Sequence, residues 1–165
     1  MTPEENTNYS PNETTAAETI RTELRILHSL DPSSSRLLEA LACVLVRVAG
    51  ADSEICDSET AEMEGMLMRL AELPPAQAVL AVEIAKQRTC LGGAGYTAAI
   101  SRDLRRRTDP RYRLDLLHSL VDVACADGDL CDQEVTAILR IAAELGFSRH
   151  LADELIEESQ RSLRA

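Results

Sequence analysis

Four carboxylates fall within eight residues in the stretch Ala51-Asp52-Ser53-Glu54-Ile55-Cys56-Asp57-Ser58-Glu59. The pattern returns as Ala126-Asp127-Gly128-Asp129-Leu130-Cys131-Asp132-Gln133-Glu134. Clustered carboxylate oxygens suit hard cations such as Ca²⁺ and Mg²⁺, with Zn²⁺ as a further candidate, and crowded acids repel unless something positive sits among them. Asp127-x-Asp129 has the opening of an EF-hand, but Glu134 follows Asp127 by only 134 − 127 = 7 positions, against an EF-hand loop of about twelve residues. A site here is therefore open and partly hydrated, or borrows ligands such as Asp122, one helical turn before the second loop. The same residues also fit a metal-free role. Asp57 and Asp132 complement a helix dipole, Glu59 and Glu134 stand where a capping-box acid reaches back to a free N–H, and Ile55 and Leu130 plug the gap between two helices. Both readings stand at this point.

Other reactive side chains carry less. Cys56 and Cys131 place one thiol in each acidic loop, a possible answer to soft metals or oxidants, but no Cys-x-x-Cys occurs; Cys43 and Cys125 lie in apolar helical patterns and read as core. His118 and Asp122 share a helix face, and Cys131, His118 and Asp122 have the residue types of a nucleophilic triad with nothing but identity to support it. No catalytic residue is assigned, and the chain reads as non-enzymatic. The run Leu91-Gly92-Gly93-Ala94-Gly95 lacks the Gly-Lys-Ser/Thr ending of a phosphate loop and reads as a connector. Between Ser101 and Arg113 six Arg face two Asp, a local excess of 6 − 2 = +4. Arg102, Arg105, Arg106 and Arg107 in this stripe are candidates for docking a protein partner, with a solvated helix face as the plain alternative.

The elements that position these groups follow from periodicity. Subtracting 52 from 127, 54 from 129, 57 from 132 and 59 from 134 gives 75 each time, the mark of an internal duplication. Helical spacing of Ile20, Leu24, Leu27 and Leu30 predicts a first helix, stopped by Asp31-Pro32. Leu37, Leu38, Leu41, Leu45 and Val48 then predict a helix capped from Ser33–Ser35 and ending before the first acidic loop. Met63, Met66, Leu67 and Leu70 form the face of the helix after it. Leu73-Pro74-Pro75 opens a further helix to about Lys86, Cys90–Gly95 breaks the pattern, and Tyr96–Arg107 resumes it. The second repeat carries Leu114, Leu117, Val121 and Ala124, then Val135, Ile138, Leu139 and Ala142, with Gly146 as a stop and Ser148 as cap for a last helix. The result is an all-α bundle of about eight helices. Repeat one spans about 34–87, a connector 88–110 and repeat two about 111–162, all within one domain from 16 to 165 that follows a disordered tail over 1–15.

Composition agrees. The 165 residues are 45% hydrophobic with 2% aromatic and no Trp, a helix-favouring palette of the size of one domain. The net charge of −11 repels nucleic acid and anionic membranes and favours cations or basic partners. No run of about 18 apolar residues predicts a membrane span. Five Cys without a secretory signal ahead of them predict reduced thiols and a cytoplasmic location.

The run Ala126-Asp127-Gly128-Asp129-Leu130-Cys131-Asp132-Gln133-Glu134 ahead of an amphipathic helix resembles the signature of the tellurite-resistance TerB family, and is similar to the amino-terminal domain of the DjlA co-chaperones. The resemblance covers roughly residues 33–160. It implies a compact helical bundle of two repeats, a tellurite-resistance or stress-response role, and divalent metal binding through Asp127, Asp129 and Glu134, extended to Asp52, Glu54 and Glu59. A metal-independent interaction module of the DjlA kind is the alternative it implies. Two departures stand out: Ser53 replaces the glycine expected in repeat one, and Cys56 and Cys131 occupy positions where a capping serine is usual.

Overall fold

A computed structural model describes residues 21–164 except 24 and 28, and for 89–97 the backbone alone. The tail expected over 1–15, and Ile20 and Leu24 of the first helix, lie outside the described residues. Residues 21–23 and 25–27 are helical and Leu27 is buried. Among the described residues six bounded helices follow: α1 (Pro32–Ala49), α2 (Asp57–Leu70), α3 (Pro75–Arg107), α4 (Pro110–Ala124), α5 (Asp132–Leu145) and α6 (Arg149–Leu163). No strand occurs among the described residues, and the architecture is all-α.

Prolines and acids set the helix starts. Asp31-Pro32 opens α1 as well as closing what precedes it: Asp31 Oδ1 accepts from the Ser33 and Ser34 amides at 2.9 and 3.1 Å, with Pro32 in the first turn where its missing N–H costs nothing. The cap expected from Ser33–Ser35 is thus Asp31. Asp109-Pro110 repeats the device for α4, Asp109 accepting from the Tyr112 amide at 2.9 Å. Gly146, at φ 91°, ends α5, and Ser148 caps α6 through the Leu151 amide at 3.3 Å. The break expected at Cys90–Gly95 is absent, since α3 runs through it as one helix of 33 residues. Each helical glycine costs about 1 kcal/mol, but this segment contains no proline, and only proline removes a helix hydrogen bond outright.

Helix α3 packs against α1, α2 and α5, while α1 also meets α4 and α5, and α6 covers α4 and α5. One continuous core results, and the duplication is visible in its register. Leu41, Leu45 and Val48 of α1 are fully buried, as are Leu116, Leu120 and Val123 of α4; Met63 and Met66 of α2 match Ile138 and Ile141 of α5, each pair 75 apart. Each such Leu contributes about 1.5–3 kcal/mol by leaving water. Helix α4 buries a broader face than its Leu117-Val121-Ala124 stripe because α1, α2, α5 and α6 all surround it. Tyr112, whose hydroxyl donates to the Leu70 carbonyl at 2.8 Å, ties the start of α4 to the end of α2; burial pushes its pKa up to about 12.

The two repeats are also joined by charge. Arg47 of α1 grips Glu144 of α5 with two hydrogen bonds of 2.6 and 3.0 Å, and Arg47 also donates to Ser101 of α3 at 3.3 Å. Adding 75 to Arg47 gives Asp122, and subtracting 75 from Glu144 gives Arg69, so the symmetry-related positions carry the opposite signs. Arg69 and Asp122 sense each other electrostatically. The ion pair side chains are only 13% and 15% exposed, so removal of one partner strands a charge in a dry place. Burial alone would raise the Glu144 pKa, but hydrogen bonds from Arg47 and Ser101 and the Arg47 charge outweigh it and hold it low. Its stabilisation is present above the ordinary carboxylate range and is lost as pH falls through the lowered value. Arg47→Met and Glu144→Gln are each expected to destabilise the fold by about 2–3 kcal/mol, and in a denaturant double-mutant cycle the two losses should be strongly non-additive.

Candidate functional site

The last turn of α1 hands the chain to α2 through Gly50–Cys56, and α4 hands it to α5 through Cys125–Cys131. The two turns superpose in their hydrogen bonds. Gly50 N to Val46 O measures 2.9 Å and Cys125 N to Val121 O 3.0 Å; Ala51 N to Val48 O and Ala126 N to Val123 O measure 3.0 and 3.1 Å. Asp52 Oδ1 accepts from the Glu54 amide and Asp127 Oδ1 from the Asp129 amide, both at 3.0 Å. Asp129 Oδ1 further accepts from the Leu130 amide at 2.9 Å. Ser53, at φ 79°, takes the left-handed conformation that Gly128 takes at φ 92°. The missing glycine therefore leaves the loop geometry unchanged and adds strain of about 1–2 kcal/mol.

Each following helix begins with a full capping box. The Cys56 sulfur accepts from the Glu59 amide at 3.4 Å while Glu59 Oε2 accepts from the Cys56 amide at 2.7 Å; in the second copy the corresponding distances are 3.4 and 2.8 Å for Cys131 and Glu134. Cysteine fills the role of the expected serine. Its larger sulfur reaches the amide at a longer distance, and Glu59 and Glu134 carry the stronger bond. Both glutamates are buried, at 4% and 6% exposure.

The seven candidate ligands divide by position. Burial, then the charges of Glu59 and Asp127, raises the Glu134 pKa, so acids of both repeats converge there, although hydrogen bonds from Cys131 pull the other way. Asp122 is raised by burial and by Glu62, with His118 and Arg69 opposing. Burial, with Glu134, Asp122 and Asp127 beyond it, pushes the Cys125 thiol up to about 11. Asp127, Glu134 and Asp122 thus share one electronegative region around Cys125, and Glu59 adds its charge at Glu134. Asp52 and Glu54 are exposed on the first loop, Asp127 and Asp129 on the second, and Asp122 on α4, so Glu59 and Glu134 alone of the seven are buried. Glu62 and Cys125 were not foreseen as members; the signal was the duplication itself, which brings matching faces of the repeats together. Among the described residues no three His, Cys, Asp or Glu side chains form a group arranged to hold a metal ion.

The remaining sequence candidates have other surroundings. His118 and Asp122 line a groove of about 380 Å³ with Cys125, whereas Cys131 caps α5. The thiol in that groove is Cys125, protonated at neutral pH and a poor nucleophile. Burial also raises the Cys131 pKa. In the arginine stripe, Arg107 pairs with Asp103 at 2.6 Å, Arg102 donates to the Ala98 carbonyl at 3.2 Å, and Arg105 lies over Gly146, where an added Cβ would meet its guanidinium at 2.6 Å. Arg106 is exposed.

Two outcomes test these corners. Ser53→Gly should raise stability by up to about 1 kcal/mol by relieving the left-handed residue, read as a higher melting temperature; Gly128→Ser should lower it. For Glu134 the folded pKa is raised, so its contribution is largest below the unfolded carboxylate range and is lost as pH rises from about 4 through the folded value. Glu134→Gln keeps an acceptor for the cap and removes the charge. The stability of the parent relative to this variant should fall across that window, and a flat difference would contradict the burial argument.

No curated protein and no solved structure matches the chain. The family model described as "Tellurite resistance protein TerB" matches residues 38–155. That span takes in both capped corners, the Arg47–Glu144 pair and nearly all of the core, and the chain belongs to the TerB family.

Proposed function

We propose that this chain is a non-enzymatic domain of tellurite-resistance or related stress response that draws a divalent cation, Ca²⁺, Mg²⁺ or Zn²⁺, to its second acidic corner. One observation supports this reading: Glu134 is buried beside Glu59 and Asp127, and no Lys or Arg makes an ion pair with any of the three among the described residues. Converging carboxylates without a counter-charge cost free energy that a cation relieves. The donor set is all hard oxygen, which suits Ca²⁺ or Mg²⁺ better than Zn²⁺. Capping uses one oxygen of Asp127 and one of Glu134, leaving each a second. With no group of three ligands in place, the cation would keep most of its water and bind weakly, in the manner of Mg²⁺ held by one or two carboxylates.

A second reading rests on a different observation. Because the corner acids already serve the backbone, they need no metal to explain them, and a metal-independent interaction module of the DjlA kind accounts for the same residues. Its protein partner would meet the arginine stripe at Arg102, Arg105, Arg106 and Arg107.

Melting temperature in Ca²⁺, Mg²⁺ and Zn²⁺ separates the two. A cation at ten times its Kd adds about 1.4 kcal/mol, roughly 3–5 °C for a chain of this size. Asp127→Asn with Glu134→Gln, which keeps both cap acceptors, should abolish the shift. No shift with any of the three cations sinks the first reading. A partner captured in chelator and lost when Arg105–Arg107 are changed to Glu supports the second.

A further inference from the structure

Beyond the corners, the C-terminal parts of α4 and α6 enclose the groove of about 380 Å³, lined among others by His118 and Asp122 of α4 and by Leu155, Glu158, Ser162 and Leu163 of α6. That volume is within the range of ligand sites. Its character is mixed. Asp122 and Glu158 give it negative charge, in a chain whose net charge is −11. Leu155 and Leu163 give it apolar walls, and Leu163, at 42% exposure, is among the few large hydrophobic side chains left in water. From Leu155 to Leu163 the groove follows α6 for about 12 Å at the helical rise, the length of a peptide segment and more than one ammonium group needs.

We propose that this groove docks a basic amphipathic segment of a partner protein, its lysine or arginine heads meeting Asp122 and Glu158 and its aliphatic stems lying on Leu155 and Leu163. Long basic side chains have this build, an apolar stem under a charged head. Charge complementarity selects the occupant. A second copy is a poorer fit, because two chains of net charge −11 repel. The groove shares Asp122 with the candidate cation ligands, but Glu158 and Leu163 lie outside both acidic corners, and the test below rests on those two.

The test titrates the full chain against a labelled peptide of lysine and leucine at helical spacing, followed by fluorescence anisotropy. Glu158→Lys and Glu157→Lys make the same change in net charge, but Glu158 lines the groove and Glu157, exposed on the same helix, does not. Glu158→Lys should weaken binding by about tenfold or more and Glu157→Lys by less than about threefold, because reversing a contacting charge costs far more than shifting the distant field. Leu163→Gln should weaken it as well. Equal losses for the two lysine variants, or no binding by the parent chain, overturn the proposal. So does concentration-dependent self-association, seen by sedimentation, that Glu158→Lys abolishes, since the occupant would then be a second copy. Glu158→Lys should leave any cation-induced melting shift intact, so failure of one reading is distinguishable from failure of the other.

Discussion

The amide groups at the start of α2 and α5 have no partner within their own helices, and two buried glutamates supply it. Glu59 and Glu134 reach back to the amides of Cys56 and Cys131, and the cysteine sulfurs answer from the other side. A helix start buried without partners would leave several N–H groups unsatisfied at about 1–3 kcal/mol each. With them satisfied, each corner has one geometry, and the direction of α2 relative to α1, and of α5 relative to α4, follows. The shared core of the two repeats depends on those directions.

Duplication alone would make the two halves alike, and like halves carry like charges. Here they do not. Repeat one has Arg47 and Arg69 where repeat two has Asp122 and Glu144. Arg47 and Glu144 meet in a two-toothed bond across the interface, and Arg69 lies within electrostatic reach of Asp122. Two copies of repeat one would set arginine against arginine in this arrangement, and two copies of repeat two acid against acid. The inverted signs favour the pairing of unlike halves, the same logic by which charges at an interface choose between partners.

The same inversion adds Asp122 to the acids of the second corner. Asp122, Asp127 and Glu134 surround Cys125, Glu59 and Glu62 add charge from the other repeat, and Glu158 of α6 extends the region along the groove. At Cys125 and Cys131 burial first, and then the neighbouring carboxylates, oppose the thiolate, the reverse of what a reactive cysteine needs. Cations and basic side chains are the natural complement of such a face.

Much of the fold was legible in the chain. The constant offset of 75, the helical stripes and the Asp-Pro, Gly and Ser signals determined an all-α duplication and most helix ends, because periodicity and capping are local properties. The candidate ligands were legible as residue types, and so was their use as caps. Three things needed the tertiary structure. Cys90–Gly95 continues α3, since glycine weakens a helix without ending it and the surrounding helices hold this one. Ser53 accepts a left-handed backbone because the corner around it is held by bonds that do not involve its side chain. The convergence of Glu59 with Glu134, the meeting of Arg47 with Glu144, and the replacement of Cys131 by Cys125 beside His118 and Asp122 all join residues far apart in sequence. Sequence by itself therefore determined what each corner is made of and how its helix begins; packing of one repeat on the other decided which charges face each other, because distance through space, unlike spacing along the chain, is set only when the core closes.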